Sequence, residues 1–188
     1  APILTDTVHA ATMAEIIRPT LAEMARRGSP YQGVLYAGLM IENEVPRLVE
    51  YNARFGDPEC QALMMRLGGQ VLDLIEACVD GRLGEARVNW ADDHAMTVVM
   101  AAEGYPGSYK KGTEIRGLDA LTEDSSTMMC HAGTALVDGA VQAVGGRVLN
   151  ATGRGATLAE ARDRAYALLG QVDWPEGFYR SDIGHRAL

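Results

Sequence analysis

The chain has 188 residues, 47% apolar and 22% charged, and its 17 Lys and Arg against 25 Asp and Glu leave a formal charge of −8. That length allows one domain or two small ones and a core that needs no covalent staples. The acidic balance excludes a protein that grips a nucleic-acid backbone, and the lack of any apolar run near ~20 residues excludes a helical membrane span. Glycine supplies 21 positions, above the usual ~7%, so tight turns and close backbone approaches are expected and function is expected in loops.

The opening Ala1-Pro2-Ile3-Leu4-Thr5-Asp6 has no initiator Met and no targeting pattern, and it runs straight into a helix. It reads as a fragment or a processed chain. From Thr7 to Arg27 the residues Met13, Ile16, Ile17, Leu21 and Met24 recur at helical spacing, with Pro19 expected to kink the helix. Gly33–Ile41 and Pro46–Arg54 read as two antiparallel strands joined by the polar turn Glu42-Asn43-Glu44. Glu59–Leu67 and Val71–Val79 have helical periodicity, with Gly68-Gly69 between them and Gly81 closing the second.

Beyond Gly84 the pattern shifts to short strands at Arg87–Trp90, Ala95–Ala102, Met128–His131 and Arg147–Thr152. Thr157-Leu158-Ala159-Glu160 is a capping box ahead of a helix whose apolar face is Leu158, Ala161, Ala165, Leu168 and Leu169. The nine methionines read as core filler. The expected organisation is α+β: residues 1–84 form a hairpin with helices, and residues 85–188 a small α/β domain of short strands and one capped helix, with Asp80–Glu85 as the nearest thing to a linker.

Side chains two apart on a strand share a face, so Glu50, Asn52 and Arg54 project together while Val49, Tyr51, Ala53 and Phe55 point the other way. A carboxylate beside an amide oxygen suits Mg²⁺, and an arginine next in the row suits phosphate or carboxylate. A solvated sheet face with a surface ion pair explains the same residues. In the turn that follows, Asp57 with Arg54 suits the two ends of a zwitterion, and Asp57 equally suits a helix N-cap. The segment Gly104–Gly112 reads as a loop of fixed shape. His9, His94, His131 and His185 are scattered, which disfavours a zinc hydrolase, and no serine has a nucleophile-elbow setting. Cys60, Cys78 and Cys130 lack C-x-x-C spacing, so neither a disulfide framework nor a thiolate zinc site is signalled, and a reducing cytoplasm is the expected compartment.

Three segments in order, GVLYAGLM at Gly33–Met40, LVEYNARFGDPECQ at Leu48–Gln61 and EGYPGSYKKGTEI at Glu103–Ile115, resemble the phosphoribosylamine–glycine ligase (glycinamide ribonucleotide synthetase) family of ATP-grasp enzymes. Gly146-Arg147-Val148-Leu149 and Tyr179–Gly184 look like the end of that family's chain. The resemblance implies the C-terminal portion of an ATP-grasp domain followed by a small C-terminal domain. It also implies ATP-dependent joining of glycine to 5-phosphoribosylamine through glycyl phosphate, in de novo purine synthesis. On this resemblance Glu50 and Asn52 hold Mg²⁺ or Mn²⁺ at the nucleotide phosphates, Arg54 stabilises an acyl or substrate phosphate, and Asp57 orients an amine. Tyr105, Pro106, Gly107 and Ser108 form a substrate loop. The preceding strand offers Tyr36, Gly38 and Met40 where many ATP-grasp relatives carry a further acidic ligand.

The family's N-terminal half is the expected partner, and the chain alone is expected to be inactive, with neither nucleic acid nor membrane as partner. Two other readings stand beside this one. The first is another ATP-grasp carboxylate–amine ligase. The second is a non-catalytic docking module with an exposed apolar patch on Gly33–Ile41.

Overall fold

The computed structural model describes residues 4–188. Ala1, Pro2 and Ile3 of the N-terminal reading lie outside the described residues. The chain forms two compact units. One takes residues through Gly56 together with Gly69–Val88, and the other takes Asp57–Gly68 together with Asn89–Arg186.

In the first unit, α1 (Asp6–Ala11) starts at Thr5, whose hydroxyl accepts a hydrogen bond from the Val8 N–H at 3.3 Å. The helix widens to π geometry at Thr12–Ile17 and continues as α2 (Arg18–Arg26). Pro19 falls in the first turn of α2, directly after this π segment, a position where a missing N–H is tolerated. Strands β1 (Tyr36–Glu42) and β2 (Val45–Asn52) form an antiparallel hairpin. Its turn is Asn43-Glu44, both residues at positive φ (51° and 61°), which matches the twist of a two-residue hairpin. The hairpin reaches the helix through Tyr51, whose hydroxyl lies 2.8 Å from that of Thr20 and donates to the Ile16 carbonyl at 3.2 Å.

The helices α3 (Glu59–Leu67) and α4 (Val71–Val79) have the bounds their periodicity predicts, with a single 3₁₀ turn at Gly68–Gln70 between them. α4 belongs to the first unit. α3 packs against strands of the second.

The second unit is built on β3 (His94–Ala102), β4 (Thr113–Glu114), β5 (Thr127–His131), β6 (Thr134–Val137), β7 (Ala140–Ala143), β8 (Arg147–Gly155) and β9 (Gly177–Phe178), with α5 (Leu158–Leu169) between β8 and β9. Four strands lie in the order β5-β8-β3-β9 and three in the order β4-β7-β6, and every ladder is antiparallel. From Met96 to Met100 β3 alternates as a half-covered strand should, with Met96, Val98 and Met100 buried and Thr97 and Val99 half-buried, and at its end Ala101 and Ala102 are both buried. Val98, Met100, Leu149 and Ala151 join Ala165, Leu168, Leu169 and Trp174 of the far side in one core.

α5 begins as the capping box predicts, with the Glu160 N–H donating to the Thr157 hydroxyl at 3.1 Å. The Glu160 carboxylate accepts from the Ala156 N–H, one residue before the cap. Its stripe of Ala161, Ala165, Leu168 and Leu169 is buried, and Leu158 is half-covered.

Three expectations change. Arg87–Trp90 is not a strand: among the described residues no strand covers it. Instead, the chain just after it is pinned to the end of α3: the Ala91 N–H donates to the Arg66 carbonyl at 3.1 Å, and the Arg66 guanidinium donates to the Ala91 carbonyl at 2.7 Å and stacks 5.4 Å from the Trp90 ring centre. β2 ends at Asn52, so Arg54 lies beyond the strand rather than on it. Of the methionines, Met96 and Met100 are core residues, whereas Met40 is 62% exposed on the hairpin.

α5 lies close enough on β8 that a Cβ at Gly153 would come within 2.7 Å of the Ala165 amide nitrogen. Gly153→Ala therefore drives the helix off the sheet and is expected to destabilise the protein by about 1–3 kcal/mol. Thr157→Ala, which removes only the cap, is expected to cost about 1 kcal/mol. Urea unfolding of the two variants checks the order.

Candidate functional site

The polar row of β2 is assembled by a bulge. Gly38 pairs with Glu50 and Leu39 with Leu48, leaving Val49 as the extra residue. A Cβ at Gly38 would sit 3.1 Å from the Glu50 Cγ, so the glycine leaves the carboxylate room to lie across β1. The Asn52 amide donates to Glu50 Oε1 at 3.3 Å, and Arg54 Nη2 donates to Asn52 Oδ1 at 3.4 Å. Although Arg54 has left the strand, its guanidinium returns to the row and also donates to the Phe55 carbonyl at 3.0 Å.

These contacts give a short chain of carboxylate, amide and guanidinium. Turning the Asn52 amide over presents its oxygen beside the Glu50 carboxylate, a pair of hard oxygen donors that fits Mg²⁺ or Mn²⁺. Among the described residues no group of three or more His, Cys, Asp or Glu converges. Two oxygens alone would not complete the shell of such an ion, which phosphate oxygens and water would have to fill.

Asp57 belongs to the second unit and is not the helix cap that local sequence allows. Pro58 occupies the N-cap position of α3 with no side-chain cap bond. The Asp57 carboxylate is taken by a long-range partner, with Arg147 Nη2 3.2 Å from Oδ2, while Gln61 Nε2 donates to Oδ1 at 3.3 Å. The peptides Asp57-Pro58 and Tyr105-Pro106 are both cis.

A cavity of about 290 Å³ adjoins this pair. Pro58 and Arg147 line it with Thr97, Val99, Tyr105 and Tyr179, among others. Of the expected substrate loop, Tyr105 reaches this cavity and packs edge-on against Tyr109, the ring centres 6.3 Å apart. Pro106, Gly107 and Ser108 are exposed. In the sequence Arg147 stands out only as the first residue of an expected strand and, with Tyr179, in a terminal signature, and no local pattern places either beside Asp57 or Tyr105.

Two family models match the chain: "Phosphoribosylglycinamide synthetase, ATP-grasp (A) domain" over residues 1–60 and "Phosphoribosylglycinamide synthetase, C domain" over residues 95–186. The chain belongs to the phosphoribosylglycinamide synthetase family. It is 57% identical over 188 residues to the phosphoribosylamine–glycine ligase of Brucella melitensis, a match covering all of this chain and 44% of that protein. The chain thus spans less than half the length of the curated relatives it matches. The crystal structure of the phosphoribosylamine–glycine ligase of Thermotoga maritima superposes with a TM-score of 0.83 at 33% identity, covering 97% of this chain and 44% of that one. The urea carboxylase of Kluyveromyces lactis shares the fold at a TM-score of 0.60 and 13% identity, over 99% of this chain and 16% of that one.

In family terms the Glu50–Asn52–Arg54 row and Asp57 lie in the stretch matched by the ATP-grasp model, and Arg147, Tyr105 and Tyr179 in the stretch matched by the C-domain model. Among the described residues no helix is long and apolar enough to cross a membrane.

Cys60 follows Asp57 by three residues, and desolvation, then the Asp57 charge, pushes its thiol above the ordinary range. Burial, then the Glu123 charge, does the same for Cys130. Both stay protonated and poorly nucleophilic at neutral pH. Iodoacetamide is therefore expected to label them more slowly than a free thiol at pH 8, with the deficit closing as pH rises, a result mass spectrometry of the labelled peptides reads directly.

Proposed function

We propose that this chain supplies the metal-binding strand and part of the substrate pocket of a phosphoribosylamine–glycine ligase. The reaction joins glycine to 5-phosphoribosylamine with ATP. The glycine carboxylate attacks the γ-phosphorus and releases ADP, then the amine of phosphoribosylamine attacks the acyl carbon and releases phosphate, giving glycinamide ribonucleotide for de novo purine synthesis. The observation that carries this reading is the hydrogen-bonded row Glu50, Asn52 and Arg54 within the stretch matched by the ATP-grasp model.

Glu50 and Asn52 would hold Mg²⁺ or Mn²⁺, which when bound neutralises charge on the nucleotide phosphates. The Arg54 fork, whose Nη1 is anchored on the Phe55 carbonyl, is suited to the oxygens of the acyl phosphate. Asp57 orients the glycine ammonium group. Tyr105 walls the adjoining cavity, with Pro106, Gly107 and Ser108 as the substrate-facing loop beside it.

The partner in this reading is the N-terminal part of the same enzyme. Relatives more than twice as long support it, and so does the first unit's uncovered apolar surface. Met40 and Val49 on the hairpin are exposed, as are Leu72, Ile75 and Val79, spaced three and four apart along one face of α4. The reaction would take place in the cytoplasm, and the chain alone would be inactive.

The test is ADP release dependent on both glycine and 5-phosphoribosylamine, measured for this chain paired with the matching N-terminal part and for the chain alone. Activity is expected only in the pair, with a loss of at least about a hundredfold on Glu50→Gln. Use of another amino acid in place of glycine would point to a different carboxylate–amine ligase. A soluble, associated but inactive pair would overturn the catalytic reading in favour of a docking module.

A further inference from the structure

We propose that Arg147 is the positioning residue for Asp57, and through it for the glycine ammonium group; the inference rests on the reaction proposed above. The two residues are 90 apart in sequence, so nothing local brings them together. One guanidinium holds Asp57 at two points. Nη1 donates to the Asp57 main-chain carbonyl at 2.8 Å, and Nη2 lies 3.2 Å from carboxylate Oδ2. A planar fork bound to both the backbone and the side chain of one residue fixes the rotation between them, which a single-point contact does not do.

The arginine is itself firmly based. It opens β8 at a bulge opposite Ala101, and its carbonyl accepts the Gly133 N–H at 3.0 Å. Orientation set there is set by the sheet.

A purely structural role explains this arrangement poorly. The Arg147 and Asp57 side chains are 41% and 36% exposed, and a pair that open to water adds little to folding stability. Its effect is on direction. With Oδ2 on Arg147 and Oδ1 on Gln61, the carboxylate keeps one rotamer and offers its remaining lone pairs at a fixed place, and a cation met by a pre-oriented acceptor binds without first ordering it. Arg147 also lines the cavity beside Pro58 and Tyr105, so it stands at the wall of the space next to Asp57.

The experiment uses the enzyme complete with its N-terminal part and measures steady-state kinetics and thermal midpoints for Arg147→Met, Arg147→Lys, Asp57→Asn and the double variant Arg147→Met with Asp57→Asn. Arg147→Met is expected to raise the KM for glycine about tenfold, with kcat within about twofold and the KM for ATP unchanged, the pattern of lost ground-state positioning. Arg147→Lys, which keeps the charge but not the fork, recovers only part of that. The double variant is no worse than Asp57→Asn alone, because both act through one carboxylate.

A glycine KM that stays the same or falls in Arg147→Met, while Asp57→Asn raises it, overturns the role of Arg147 and leaves the reading of Asp57 standing. If Asp57→Asn leaves the glycine KM unchanged, the assignment of Asp57 and this inference fail together. Should Arg147→Met not fold, Arg147→Lys at an unchanged thermal midpoint decides: a raised glycine KM supports the inference, and an unchanged one overturns it.

Discussion

Strand β8 is the element on which the second unit depends. It pairs with β3 on one side and β5 on the other, so the backbone groups of all three close into one ladder system. Its glycine at position 153 lets α5 come down onto the sheet, and burial of Val98, Leu149, Ala151, Leu168 and Leu169 follows from that approach. The strand's first residue, Arg147, then reaches Asp57 and the cavity beside it. One strand thus supports the core at one end and the candidate site at the other.

The first unit solves a different problem. A two-stranded hairpin is marginal by itself, and here it is braced by the Tyr51 hydroxyl against Thr20 and Ile16. The bulge at Val49 sets which residues of β2 lie together. Glu50 settles across Gly38, and Asn52 and Arg54 follow it in a row of hydrogen bonds. The same unit leaves Leu72, Ile75 and Val79, an apolar stripe of α4, exposed to water.

Much of this was legible in the sequence for reasons that are local. Helical spacing marked α3 and α4 to the residue, and the Thr157 capping box marked the start of α5, because caps and periodicity act within one or two turns. Two-residue alternation brought Glu50 and Asn52 onto one face. The β6–β7 hairpin was missed although its signal was present: Asp138-Gly139, both at positive φ, is a typical two-residue turn. Arg87–Trp90 failed as a strand because β-propensity describes a residue's fit to a pleated surface and supplies no neighbour to pair with.

The sequence by itself determined the helices, the hairpin, the polar row and the family likeness, since each rests on residues within a few positions of one another. Only the tertiary structure decided that α3 packs with the second unit, that Arg54 turns back to Asn52 after the strand has ended, and that Asp57 meets Arg147 rather than capping a helix. A guanidinium 90 residues away competes with a local cap, and which of them wins depends on where the sheet delivers that arginine. No short-range pattern encodes this, because the distance is set by strand pairing and by the closeness of the packing that holds β8 in place.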